Sequence, residues 1–332
     1  MTNTNSVSDA RFRRFPTDKP DFEEFKRTLK NLQDAVENPA LTDFDYLAEL
    51  AAFQDNEGFF GVVDSSRLES DCRVAYRYMP TYMATAIFMR AYLAAADAEL
   101  AQEYRTILEK ALLACMERDL LGHGYDAEAG LIEALKIFAQ CGLREFLAES
   151  PDICPNFHLL IWSFLDDKAE VLRRGGKIIA DWDADYTEDW KAFIANLKPR
   201  NRLYLAYGSN MWTEQMLHRC PEAIRMGATH AQDWRLTFHL YADIQEEKGT
   251  QTPAVLWKIN QRDESTLDHY EGYPTHYRKT NFIVTLNGKS FAVMAYIMTA
   301  DKKQRNDPPT ERYMNILRMG YTEAGFDPAT LS

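Results

Sequence analysis

The sequence predicts a multidomain protein in which an all-α N-terminal domain precedes an α+β mixed barrel. Its 332 residues exceed the roughly 100–200 residues of one typical domain. Over residues 21–142 apolar side chains recur every three or four positions, as in amphipathic helices. After Arg202 β-branched and aromatic residues alternate with polar ones, as in half-buried strands. The change of pattern indicates two domains of different class.

Composition sets the predicted boundaries. Residues 1–20 are rich in Thr, Asn, Ser and Asp, which predicts a disordered tail. Residues 21–195 form a helical domain whose role the sequence leaves open. Charged residues around Pro199 mark the junction with the α+β domain at residues 196–332.

Two segments of the helical domain are similar to each other. Leu50–Asp64 and Leu112–Asp126 each combine a short helix, a turn with two closely spaced glycines and an aspartate. The pattern resembles the helix-pair repeat of α/α-toroid folds. Because only two units are readable, a plain helical bundle is the favoured interpretation.

Five strands are predicted after the junction. They cover Arg202–Tyr207, Arg235–Leu240, Ala254–Ile259, Tyr277–Leu286 and Phe291–Met298. Asn287 and Gly288 form the two-residue turn that is typical of a hairpin. Strands with short helices between them predict a small mixed α+β barrel.

Charge and cysteine usage exclude several classes of protein. A net charge of −12 argues against binding to nucleic acid and against docking on an anionic membrane. The five cysteines include no C-x-x-C pair, and no two histidines have the spacing of a metal site. The sequence has no signal-like N-terminus and no apolar stretch of membrane-spanning length. We therefore expect a cytoplasmic protein without a metal.

A first candidate motif follows the strand Arg202–Tyr207. The chain turns through Gly208-Ser209-Asn210 into a predicted helix at Met211–Arg219, with Ser209 or Asn210 as its N-cap. Unpaired backbone N–H groups at such a turn favour a carboxylate or a developing oxyanion. The alternative interpretation is a plain turn.

A second candidate motif is a short helix that ends at Gly272, with Glu271 as its last residue. A carboxylate at the negative end of a helix dipole has a raised pKa, and Tyr270, Tyr273 and Pro274 would add desolvation. A glutamate with a raised pKa is suited to act as a general base near neutral pH. The alternative is an exposed glutamate at a helix end.

Together these motifs resemble the γ-glutamylcyclotransferase-like family over about residues 202–332. The matching elements are Y-G-S-N at Tyr207–Asn210, L-D-x-x-E-G at Leu267–Gly272, Tyr277, the late strand at Tyr296–Met298, and a closing helix with Tyr313, Ile316, Gly320 and Gly325.

The resemblance implies an amide C–N lyase or acyltransferase that needs no cofactor. The α-amine of a small γ-glutamyl substrate would attack its own side-chain carbonyl, releasing 5-oxoproline and a free amine. Glu271 would be the catalytic acid and base. The substrate-binding residues would be Tyr207, Gly208, Ser209, Asn210 and Tyr277.

Two alternatives remain open at this point. One is removal of a γ-glutamyl group from a larger acceptor, a natural product or a modified protein, held by the helical domain. The other is a non-catalytic binding or regulatory protein on the same fold. His269 and His276 flank Glu271, and the sequence does not decide whether either lines the site.

Overall fold

The computed structural model describes residues 22–38, 44–60, 79–116, 127–179, 185–197, 201–304 and 307–331. The predicted tail, residues 61–64 and 117–126 of the two similar segments, and Pro199 at the predicted junction lie outside these ranges.

The chain divides into two compact units. The helical unit comprises Met1–Phe157 and Val171–Leu197, and the sheet unit comprises His158–Glu170 and Lys198–Ser332. The prediction had assigned residues 158–170 to the helical domain, whereas this division places them with the sheet.

The helical unit confirms that the N-terminal part is helical. Its helices are α1 Phe22–Glu37, α2 Phe44–Ala51, α3 Met79–Ala94, α4 Ala98–Cys115, α5 Ala127–Gln140, α6 Leu143–Glu149, both ends of α7 Pro155–Arg173, and α8 Thr187–Leu197. The apolar helix α3 is buried on nearly all sides and packs against α1, α4 and α5. In the first of the two similar segments, Asp55 closes the turn by accepting the N–H groups of Glu57 and Phe59, each at 2.9 Å.

The sheet unit contains one five-stranded sheet of order β2-β3-β1-β5-β4. Its strands are β1 Asn201–Ala206, β2 Ile224–His239, β3 Tyr241–Asn260, β4 Tyr277–Leu286 and β5 Lys289–Met298, and its helices are α9 Thr213–Arg219, α10 Gln261–Tyr270 and α11 Glu311–Ala324. The β1–β5 pair is parallel and the other pairs are antiparallel. The predicted α+β class with a mixed sheet is confirmed.

The sheet is strongly curved. The hydroxyl of Thr229 on β2 donates to the carbonyl oxygen of Thr285 on β4 at 2.6 Å, so the two edge strands approach each other. The described strand pairings include no backbone ladder between them. Strands β2 and β3 extend beyond their predicted bounds. The sequence did not reveal the additional residues because most of them are polar or glycine, which removes the apolar alternation that marks a strand.

The two faces of the sheet bury different cores. Leu203, Leu205 and Tyr207 lie together in a core built almost entirely from strand residues, as their predicted alternation requires. Tyr204 and Ala206 point to the other face, where α9, α10 and α11 pack. Among the described residues, no helix is long and apolar enough to cross a membrane.

Candidate active site

Local sequence places Glu271 at the C-terminal end of α10. Asn260 and Asp263 form a capping box at its start, with the Asp263 N–H donating to Asn260 Oδ1 at 2.9 Å. At the other end the Tyr273 N–H donates to the Asp268 carbonyl at 2.9 Å. This Schellman motif needs a left-handed residue, which is Gly272 at φ +60°. Glu271 is therefore the C-cap residue, one position beyond the last helical residue.

Buried ion pairs fix the position of α10. Glu264 accepts hydrogen bonds from Arg202 at 3.0 Å and from Lys279 at 2.6 Å. Asp268, one turn further along the helix, accepts from Lys279 at 2.9 Å and from the Tyr296 hydroxyl at 2.6 Å. The helix that carries Glu271 is thus tied to strands β1, β4 and β5.

Arg202 also ties the middle of α7 to the sheet. Its Nη2 donates to Asp166 at 2.5 Å and to Asn281 at 2.7 Å, and its guanidinium lies 4.3 Å from the Trp162 ring centre. The Arg202 side chain is only 5% exposed, so it needs these partners. Residues 158–170 accordingly complete the support of α10.

The helix predicted at Met211–Arg219 begins later than expected. A 3₁₀ turn covers Ser209–Met211, and α9 begins at Thr213 with Trp212 as an N-cap that makes no side-chain hydrogen bond. The predicted caps, Ser209 and Asn210, are wrong. Asn210 does not cap the helix because its side chain is engaged in the site.

Asn210 connects three other side chains of the site: Tyr204, Glu271 and Arg219. Its Nδ2 donates to the Tyr204 hydroxyl at 3.0 Å and to Glu271 Oε1 at 3.2 Å. Its Oδ1 accepts from Arg219 Nη1 at 2.9 Å. Arg219 Nη1 itself lies 4.0 Å from Glu271 Oε1. Asn210 therefore orients both charged groups without neutralising either one.

The environment of Glu271 raises the pKa of its carboxyl group to about 7. Burial is the main cause, and Arg219 and the hydrogen bond from Asn210 oppose it. The sequence argument had placed the helix dipole first, whereas loss of solvent contributes most. Cys220 is also buried, and burial raises the pKa of its thiol to about 12.

Tyrosines form much of the wall around Glu271. The Tyr207 hydroxyl donates to the Tyr296 carbonyl, and the Tyr277 hydroxyl donates to the Ala242 carbonyl at 3.0 Å. Tyr313 accepts the Ala242 N–H at 3.0 Å. Burial raises the pKa of Tyr207 and of Tyr277, which keeps both phenols protonated. Their hydroxyls bond to backbone carbonyls, and both residues line the pocket.

Close approach, rather than backbone conformation, restricts the size of a side chain at Gly208. Its φ of −110° is open to any residue. A Cβ atom at this position would lie 3.3 Å from the Tyr313 hydroxyl and 3.5 Å from the Ala242 Cβ. A larger side chain would therefore enter space that the pocket wall already occupies.

A pocket of about 350 Å³ collects these groups. All six residues predicted for the site line it: Tyr207, Gly208, Ser209, Asn210, Glu271 and Tyr277. His269 and His276 line it as well, which answers the question that the sequence left open. Sequence reasoning did not assign Tyr204 or Arg219 to the site, and it named Tyr313 only as part of the closing helix. Among the described residues, no group of three or more His, Cys, Asp or Glu side chains is placed to hold a metal ion.

Comparison with known proteins decides the family. Residues 204–315 match the family model of gamma-glutamyl cyclotransferase, AIG2-like proteins. Over 137 residues the chain is 32% identical to the Gamma-glutamylcyclotransferase of Bos taurus, which covers 37% of this chain and 71% of that protein. The chain belongs to the gamma-glutamyl cyclotransferase family. Membership supports a gamma-glutamylcyclotransferase-like function and an enzyme of this family.

Other gamma-glutamyl cyclotransferases show a similar extent of likeness. The Gamma-glutamylcyclotransferase of Homo sapiens is 30% identical over 137 residues, or 37% of this chain and 71% of that protein. A solved structure named Gamma-glutamyl cyclotransferase is 28% identical, with a TM-score of 0.35, and covers 39% of this chain and 83% of its own. The family match at residues 204–315 includes all six predicted site residues.

Proposed function

We propose that this chain cyclises γ-glutamyl compounds, releasing 5-oxoproline and a free amine, with Glu271 as both base and acid. The observation that carries the proposal is the Glu271 carboxyl group, whose pKa is raised to about 7 inside the pocket. A carboxyl group with this pKa exists in both protonation states near neutral pH. It is therefore able to take up a proton and return it within one turnover.

The reaction needs no nucleophile from the protein. The α-amine of the γ-glutamyl group attacks its own γ-carbonyl carbon, a new C–N bond closes a five-membered ring, and the original amide C–N bond breaks. The α-ammonium loses two protons on becoming the lactam N–H. Glu271 takes the first and delivers it to the departing nitrogen, and the second passes through Glu271 or solvent to the released amine, which leaves as an ammonium ion. A buried thiol such as Cys220, whose pKa is raised to about 12, has no part in this scheme.

The Tyr207–Asn210 loop supports the proposal by providing hydrogen-bond donors beside the carboxylate. The N–H groups of Met211 and Trp212 are already bonded to the carbonyls of Gly208 and Ser209. The Ser209 N–H also acts on the Tyr313 hydroxyl. The donors for the developing oxyanion would therefore be the N–H groups of Gly208 and Asn210, two residues that line the pocket. A pocket of about 350 Å³ suits a small γ-glutamyl compound held in its cyclising conformation.

A substrate panel tests this function. The purified protein is incubated with γ-glutamyl amino acids, γ-glutamyl amines and a peptide whose side chain carries a γ-glutamyl group, and 5-oxoproline is measured by mass spectrometry. We expect cyclisation of at least one small compound, and none in a matched reaction with Glu271→Gln. Turnover of the peptide alone would favour the larger-acceptor alternative. No 5-oxoproline from any compound would contradict the proposal.

A further inference from the structure

Arg219 lies in the same pocket as Glu271 without pairing with it directly. The two side chains are 23% and 18% exposed, and the shortest distance between them is 4.0 Å, from Nη1 to Oε1. This separation exceeds the roughly 2.7–3.2 Å of a hydrogen bond. Arg219 is also the one Lys or Arg among the described residues that line the pocket. The pocket therefore presents one positive and one negative group a short distance apart.

The guanidinium of Arg219 is held in place and still has donors available. It lies 4.6 Å from the centre of the Tyr270 ring, and Nη1 donates to Asn210 Oδ1 at 2.9 Å. Within residues 201–304 and 307–331 the guanidinium makes this one hydrogen bond to the protein. Its Nε and Nη2 groups therefore remain available to bind a ligand. A fixed guanidinium with two adjacent donors matches the geometry of a carboxylate.

This arrangement fits the common part of every γ-glutamyl substrate. An α-amino acid carries its ammonium and its carboxylate on the same carbon atom, so a site that binds both needs opposite charges close together. We propose that Arg219 binds the α-carboxylate of the γ-glutamyl group while Glu271 receives the α-ammonium; this proposal rests on the function proposed above. The N–H groups of Gly208 and Asn210 would then bind the γ-carbonyl oxygen, because the Ser209 N–H acts on the Tyr313 hydroxyl. Arg219 is thus a specificity-determining residue.

Two substrates that differ in one group test the assignment. The first is γ-glutamyl-alanine, and the second is the same compound with its glutamyl α-carboxylate replaced by a carboxamide. Both keep the α-amine and the leaving alanine, so the bonds made and broken are the same. Charge-assisted bonds to a carboxylate are strong, and we expect wild-type kcat/KM to favour the carboxylate about 10- to 100-fold.

Variants distinguish recognition of the α-carboxylate by Arg219 from a structural role of Arg219 in the site. Arg219→Gln should reduce the preference for the carboxylate to about threefold or less, chiefly by raising KM for that compound. Arg219→Lys keeps the charge without the fork and should retain part of the preference. Arg262→Gln is the matched control, because Arg262 is 86% exposed, and it should keep the wild-type ratio. The ratio of the two substrates cancels effects that act on both equally.

Specific outcomes would overturn the assignment. Equal kcat/KM for the two compounds in the wild type would do so even if no variant folds. An Arg219→Gln protein that loses the same factor on both compounds would show that Arg219 only positions Asn210 and Glu271. If neither compound cyclises, the proposed function fails. Calorimetric binding of the same two compounds then tests the assignment of Arg219 separately. In that case at least tenfold tighter binding of the carboxylate, lost in Arg219→Gln, supports the assignment, and equal Kd values refute it.

Discussion

Glu264 and Glu271 stand at opposite ends of α10 and are almost equally exposed, at 20% and 18%. Their pKa values nevertheless shift in opposite directions. Burial acts to raise the pKa of Glu264, but the ion pairs with Arg202 and Lys279 outweigh it and lower the pKa to about 2. Burial raises the pKa of Glu271 to about 7, because Arg219 at 4.0 Å and Asn210 offset only part of it.

The comparison shows that burial alone does not set the charge of a carboxylate. The number of cations within hydrogen-bond distance decides the direction: two for Glu264 and none for Glu271. The helix adds to the difference, since Glu264 lies in its first turn and Glu271 is its C-cap. One glutamate is therefore an anchor for the helix, and the other is available for proton transfer.

The largest expected difference between the two glutamates is in turnover. Glu271→Gln removes the proton acceptor, and we expect kcat to fall by about 10²–10⁴. Glu264→Gln, the same change on the same helix, should keep kcat within about tenfold, because Glu264 does not line the pocket. Initial rates of 5-oxoproline formation measure both.

The pH profile sharpens this prediction. Because Glu271 must be ionised to accept a proton, wild-type activity should rise with pH through about 7, and this limb should be absent in Glu271→Gln. Equal loss of kcat in the two variants would mean that α10, and not the Glu271 carboxylate, is what the reaction requires.

The second expected difference is in stability, and Glu264 has the larger effect. Glu264→Gln leaves Arg202 and Lys279 buried with fewer acceptors, and we expect the free energy of unfolding to fall by about 2–4 kcal/mol at pH 7. Because the folded-state pKa is lowered, the contribution of the carboxylate is present above about pH 4.5 and is lost as pH falls towards 2. Urea unfolding monitored by tryptophan fluorescence should show that the difference in unfolding free energy between wild type and Glu264→Gln becomes smaller as pH falls from about 4.5 towards 2.

Glu271→Gln should change stability with the opposite sign. The folded protein binds a proton at Glu271 up to about pH 7, whereas the unfolded chain releases it near pH 4.5, so wild-type stability falls as pH rises through that interval. Above pH 7 the variant should be more stable than the wild type by up to about 3 kcal/mol, and near pH 4.5 the two should be similar. A variant that is less stable at pH 8 would contradict the raised pKa.

The smallest expected effect separates two adjacent aspartates of α7. Asp166→Asn weakens the pair with Arg202, and we expect a loss of about 1–2 kcal/mol in the free energy of unfolding. Asp167→Asn is the matched control, since Asp167 is exposed, and it should stay within about 0.5 kcal/mol. Equal effects would show that residues 158–170 do not support α10 through Arg202. If the prediction holds, a fragment that begins at residue 196 lacks a counterion that Arg202 needs.

The elements that the sequence predicted well depend on neighbouring residues. Strand β4 has its predicted bounds, and the turn at Asn287-Gly288 joins it to β5. The end of α10 was predicted within one residue because Gly272 is the left-handed residue that a Schellman motif requires. Periodicity and turn chemistry operate over a few positions, so the sequence displays them directly.

The features that the sequence did not reveal depend on residues far apart in the chain. Asn210 has the composition of an N-cap, but Glu271, 61 positions away, engages its side chain. The link between Arg202 and Asp166 crosses 36 positions and places part of α7 with the sheet. Arg219 had no motif of its own, and only its distance to Glu271 marks it as part of the site.

The sequence by itself determined the α+β class of the C-terminal part, the helix end that carries Glu271, and the motifs that resemble a cyclotransferase. Only the tertiary structure decided that Glu271 has a pKa near 7 while Glu264 on the same helix has one near 2. The physical reason is that the pKa of a buried carboxylate depends on how much solvent it has lost and which cations are close. Both are set by how β1, β4 and α9 pack around α10, not by the residues adjacent to it in the chain.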